Sequence, residues 1–123
     1  MSPATLTINL GAIAHNTAVM KRVAGDAKLM CVVKANAYNH GAQRVIPVMD
    51  AAGADAFGVA TLTEAAQIRP LTDKPVLAWI WQPGEEIPAG IEVGVPGLEH
   101  LRWLVEQGEK RAVYLIVDTG LNR

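Results

Sequence analysis

"LMCVVKANAYNHG", residues 29–41, sets five apolar residues directly before a lone lysine. A strand over Leu29–Val33 is apolar at every position. That is the pattern of a parallel strand covered on both faces, not of a half-exposed antiparallel one. Lys34 follows at the carboxyl end, where parallel sheets and barrels place their chemistry. Two readings of it stand together: a strand-end lysine reaching water, or a nucleophile whose amine is partly desolvated.

Outward from this stretch, strand and helix patterns alternate. Residues 10–25 carry Ile13, Met20 and Val23 at helical spacing and stop at Gly25. Residues 42–53 place Val45, Val48, Met49 and Ala52 on one helical face and stop at Gly53. "AFGVA" (56–60) is a short strand; "TLTEAAQIRPL" (61–71) opens as a helix that Thr61 or Thr63 can cap, with Thr61 and Glu64 spaced for a capping box. "PVLAWIW" (75–81) and "AVYLIVDTG" (112–120) read as strands, "IEVGV" (91–95) as a weaker one, and "PGLEHLRWLVEQG" (96–108) as a helix. Repeated βα units imply an α/β fold with a parallel sheet under helical cover. A complete (β/α)8 barrel takes about 250 residues, so the pattern fits either a small open α/β domain or the first half of a barrel. Spacing does not separate the two.

Composition narrows the function classes. The chain has 123 residues, 50% hydrophobic, with a net charge of −1 and no basic stripe, so nothing draws it to nucleic acid or anionic lipid. No apolar run is long enough to span a bilayer. The opening "MSPATLTINL" lacks a cationic region followed by an apolar one, and a single cysteine excludes an internal disulfide. Together these favour a cytoplasmic location.

The motifs add a resemblance. "VVKANAYNHGA" together with "VDTGLNR" resembles the alanine racemases, whose usual forms are close to VVKANAYGHG and KxDTGMxR. These enzymes depend on pyridoxal 5'-phosphate (PLP) and join a barrel to a β-rich C-terminal domain. The likeness runs through all 123 residues: "INLGAIAHN" is similar to the family's opening helix and "AFGVATLTEAAQIR" to its second strand and following helix. It implies that residues 1–123 are the N-terminal segment of a (β/α)8 TIM-type barrel, with the rest of the barrel and the β domain absent. It also implies a homodimer that interconverts L- and D-alanine, supplying D-alanine for cell-wall peptidoglycan. The Val-Lys-Ala-Asn core occurs in related barrel decarboxylases as well. A racemase for another amino acid or a decarboxylase is therefore the alternative enzyme. A non-catalytic PLP-binding or interaction module is the alternative of a different class, should the chain end at Arg123.

Residue roles follow from the resemblance. Lys34 forms the Schiff base with PLP and, once freed, serves as the base on one face of the substrate Cα. Tyr38 hydrogen-bonds the cofactor phosphate, a task suited to a phenol. Arg123 reaches the substrate carboxylate and the cofactor's phenolic oxygen, which suits a guanidinium fork. The acid/base for the opposite face is, in the family, a tyrosine of the partner's C-terminal domain, and no residue of this chain takes that part. Two positions depart from the family. Asn39 stands where glycine is common, and asparagine tolerates positive φ. Ile116 stands where many members carry a lysine, often carbamylated, that helps place the arginine. "TLTINL" (5–10) alternates like a strand, which in the family pairs with the C-terminal domain.

The remaining candidates carry less. Cys31 reads as a small core residue. His15, His40 and His100 lack metal-ligand spacing; His15 and His100 read as helix-surface residues, and His40 as one that orders the loop beyond the lysine. Trp79 and Trp81 are expected on one strand face, with Trp81 a candidate wall of the cofactor pocket. Glu85, Glu86, Glu106 and Glu109 read as solvated charges.

Overall fold

Five parallel strands lie side by side in the order of the chain in a computed structural model, which describes residues 3–122. They are β1 (Met30–Val32), β2 (Ala56–Thr61), β3 (Val76–Ile80), β4 (Ile91–Val95) and β5 (Val113–Leu115). The helices are α1 (Leu10–Ala24), a single turn α2 (Lys34–Tyr38), α3 (Ala42–Ala51), α4 (Leu62–Ile68) and α5 (Leu98–Gln107), with a 3-10 turn at Arg69–Leu71. Neighbours pair in parallel register, Val32 with Gly58 and Gly58 with Leu77 among them. The α/β class and the parallel βα repeats are as the sequence predicts, including the weaker strand at 91–95.

One face of the sheet makes the core. Phe57, Val59, Val76, Ala78, Ile91 and Val93 point toward the helices at 1% exposure or less, against Val45 and Ile46 of α3 and Leu62, Ala65 and Ile68 of α4. Each large side chain buried this way contributes about 1.5–3 kcal/mol. α4 begins where expected: Thr61 Oγ1 accepts from the Glu64 amide at 3.2 Å, and Glu64 Oε1 accepts from the Thr61 amide at 3.0 Å. Pro70 ends the regular helix in the 3-10 turn. At the opposite end of the strands, Asp55 takes Lys21 Nζ at 2.6 Å and the Leu29 amide at 2.7 Å, joining α1 to the entries of β1 and β2.

The other sheet face alternates Met30, Val32, Gly58, Leu77, Trp79, Glu92 and Gly94. It carries no helix. Here β1 corrects the sequence expectation: its residues are only partly buried, and Val32 is 39% exposed, because β1 is the edge strand, whereas Leu77 on the same face of the central β3 is 2% exposed. The two tryptophans also separate. Trp79 lies over Gly58, where a Cβ would sit 2.4 Å from its ring. Trp81, past the end of β3, turns to the helix side instead. Its ring meets His100 edge-on at 4.8 Å and Trp103 at 5.6 Å, and its Nε1 donates to the Gly94 carbonyl at 2.7 Å. Trp81 thus packs against α5 and does not share a face with Trp79.

Three more expectations shift. In α1, Ile13 packs inward, but Met20 and Val23 are 54% and 75% exposed and Thr17 is buried. α1 meets α3 along a narrow seam, so a full apolar face is not covered. Residues 3–9 form neither helix nor strand, so "TLTINL" has no strand partner here. β5 spans three residues, not nine, since it is the sheet edge and only β4 pairs with it.

Candidate active site

The segment after Lys34 is not an ordinary loop. Ala35, Asn36, Ala37, Tyr38 and Asn39 all have positive φ, between 51° and 65°, making one turn of left-handed helix. Asn39 at positive φ is as expected; the other four were not foreseen. Asparagine tolerates this region, but Ala35, Ala37 and Tyr38 each pay about 1–2 kcal/mol for it. One net hydrogen bond is worth only about 1 kcal/mol, so several must hold the turn. Ala37 N donates to the Val33 carbonyl at 2.9 Å, Asn39 N to Ala35 at 3.0 Å and Gly41 N to Asn36 at 3.0 Å. Asn36 Oδ1 accepts from the Ala42 amide at 2.9 Å, fastening the turn to the start of α3. His40 Nδ1 lies 3.0 Å from the Ala37 carbonyl, the loop-ordering part expected of it. Backbone strain concentrated in this way marks functional segments.

The turn sets Lys34 and Tyr38 at the carboxyl end of β1. Lys34 is half-buried, and its Nζ stands 5.9 Å from the centroid of the Tyr38 ring. Among the described residues it forms no ion pair. Tyr38 is 56% exposed at the open mouth of the sheet. An amine and a phenol thus share one rigid turn, both accessible from the side where a ligand can enter.

Glu64 fixes the turn from below. Its Oε2 accepts from the Ala35 amide at 2.6 Å, while Oε1 accepts from Ala60 and Thr61 at 3.0 Å each. Partial burial pushes this carboxyl up, but the amides of Ala35, Thr61 and Ala60 and the Thr61 hydroxyl outweigh that and hold it below its ordinary value. Asp55 is also held low, first by Lys21 and then by the Leu29 amide. The capping pattern at Thr61 and Glu64 is legible in the sequence. The second oxygen's reach to the lysine turn is not, because it depends on β1 and β2 being neighbours.

Both carboxyls are lowered on folding, so their stabilisation is complete above the unfolded values near 4.5 and 3.8 and is lost as pH falls through the folded ones. The full-length protein is expected to lose urea stability as pH drops below about 4.5, with a shallower slope in Glu64→Gln. An equal slope in the two proteins would contradict the assignment.

At the far edge, Asp118 Oδ1 accepts from the amides of Gly120 at 2.9 Å and Asn122 at 3.0 Å, folding "DTGLN" into a turn. Arg123 lies outside the described residues. Ile116 faces the uncovered side, its Cδ1 2.7 Å from where a Cβ of Gly94 would stand. Cys31 is half-buried against the core, its thiol pushed up by burial and by Asp55. His15 is exposed; His100 is half-buried, with Nε2 3.0 Å from the Trp81 carbonyl, so it is a packing residue and not a surface one. Glu109 pairs with Arg111 at 2.7 Å. No three His, Cys, Asp or Glu among the described residues could hold a metal ion, and no helix there is long and apolar enough to cross a membrane.

The lysine turn stands at the carboxyl end of a parallel strand, the place where α/β folds and barrels carry their sites. Residues 8–123 match the model of the alanine racemase N-terminal domain, and the chain belongs to that family. It is 50% identical over 129 aligned positions to an alanine racemase of Corynebacterium glutamicum, covering all of this chain and 36% of that protein. The crystal structure of alanine racemase from Corynebacterium glutamicum superposes with a TM-score of 0.93 at 49% identity, over all of this chain and 38% of that one. The alanine racemase of Bartonella henselae, solved with covalently bound pyridoxal phosphate, matches with a TM-score of 0.85 at 27% identity, over 98% of this chain and 37% of that one. The chain spans about a third of the length of the curated relatives it matches.

Proposed function

We propose that residues 1–123 are the N-terminal barrel segment of a longer PLP-dependent alanine racemase. The full protein would be a homodimer, cytoplasmic, with its D-alanine destined for peptidoglycan. The observation that carries this reading is the left-handed turn bearing Lys34 and Tyr38 at the mouth of β1, in a chain half identical to a named alanine racemase.

The residues present suit PLP. A half-buried primary amine can attach to an aldehyde, and an exposed phenol close by can donate to a phosphate oxygen. PLP bound there would supply an electron sink for the charge left on the substrate Cα when its proton leaves. Lys34 Nζ is the attachment point and, when displaced, accepts or returns the Cα proton on its own face. Tyr38 anchors the phosphate end and so fixes which face the lysine meets. Arg123 is assigned to the substrate carboxylate by the family resemblance of "VDTGLNR". Ile116 cannot accept a hydrogen bond, so this arginine is placed without the lysine that many family members use.

The test is a turnover assay of the full-length protein with PLP. Conversion of L- to D-alanine faster than that of other amino acids is the expected result. Release of CO2, or preference for another amino acid, would move the protein to the alternative enzyme readings.

A further inference from the structure

Glu64 belongs to α4 and has no place on the sheet's inner face, yet one of its oxygens ends on the residue that follows Lys34. We infer that Glu64 is a positioning residue for the lysine, locking the left-handed turn so that Lys34 Nζ and the Tyr38 hydroxyl keep a fixed relation. The inference rests on the reading of Lys34 as the PLP attachment point.

The division of labour between its oxygens supports this. Oε1 serves the helix: it takes the amides of Ala60 and Thr61 and, at 3.3 Å, the Thr61 hydroxyl, which is all a capping box needs. Oε2 takes only the Ala35 amide, at 2.6 Å. That amide is the first of the positive-φ run, and the turn's own ladder gives it no partner: the donors there start at Ala37. Without Oε2, Ala35 N points at nothing, and the residue with the least tolerance for positive φ next to the lysine loses its tie. Oε1 is fixed to Ala60 and Thr61 at the end of β2, and β2 pairs with β1, so the tie joins the end of β2 to the residue after the lysine.

Glutamine separates the two tasks. It has one acceptor oxygen, which the three donors at Ala60 and Thr61 will claim, leaving its NH2 group facing the Ala35 N–H. Thr61→Ala is the control, weakening the helix cap while leaving Oε2 in place. The experiment uses the full-length protein. In its cofactor-free form, amide exchange at Ala35 is read by mass spectrometry or NMR; PLP affinity is then titrated, and the site of borohydride trapping is mapped.

Glu64→Gln is expected to speed exchange at Ala35 and weaken PLP binding on the order of 10–100-fold. Thr61→Ala should lower the melting temperature yet change neither by more than about twofold. Adduct on Lys34 with unchanged exchange and affinity in Glu64→Gln overturns the positioning role alone. Equal losses in Thr61→Ala show that the effect runs through helix stability, and overturn it too. An adduct on another lysine would instead overturn the cofactor reading beneath it. Should Glu64→Gln not fold, Glu64→Asp, one methylene too short to span both tasks, is read by the same criteria.

Discussion

Replacing Lys34 with alanine in the full-length protein leaves a folded molecule that no longer racemises alanine. The expected loss is about 10^4-fold or more, since on the proposed reading the substitution removes both the covalent attachment and the proton acceptor on one face of Cα. Folding should survive because the core lies on the helix side, in residues such as Phe57 and Val59, and Lys34 is not part of it. Circular dichroism and urea titration close to wild type, with racemisation at background, is the expected pair of results. Residual activity within tenfold of wild type would mean that another amine carries the chemistry.

Residues 1–123 produced alone are expected to self-associate and to have no racemase activity. β1 and β5 each present an unpaired edge, and no described helix lies on the inner sheet face. Leu115 and Val117 are 73% and 75% exposed, with Leu98, Val105 and Leu121 also open, more large apolar side chains than a monomer needs to show to water. On the proposed reading Lys34 serves one face of Cα, and no residue of this chain is assigned to the other. Light scattering with PLP in excess should show oligomers, and polarimetry no turnover. A monodisperse monomer with activity near that of the full protein would refute the claim that a second set of residues is needed.

How far the sequence reveals this arrangement depends on the range of the interaction. Local signals read well: Gly25 and Gly108 end α1 and α5 at positive φ, and Thr61 with Glu64 opens α4. Strand burial reads only by half, because the apolar run Leu29–Val33 is written for a closed barrel, while β1 is here the edge strand. The tryptophans mislead for a different reason. Strict alternation puts Trp79 and Trp81 together, but β3 ends at Ile80 and Trp81 turns away to hydrogen-bond Gly94. The left-handed turn escapes notice altogether, since Ala35, Ala37 and Tyr38 have no intrinsic wish for positive φ. Hydrogen bonds from α3 and α4 impose it, and those partners are known only once the sheet order is known.

The most direct measurement is the site of PLP attachment. The full-length protein is loaded with PLP, reduced with borohydride, digested, and the modified peptide sequenced. The phosphopyridoxyl group is predicted on Lys34, within the peptide that carries Ala35 to Tyr38, and absent from Lys34→Ala. Modification of Lys21, Lys28 or any other lysine, with Lys34 unmodified, would contradict it.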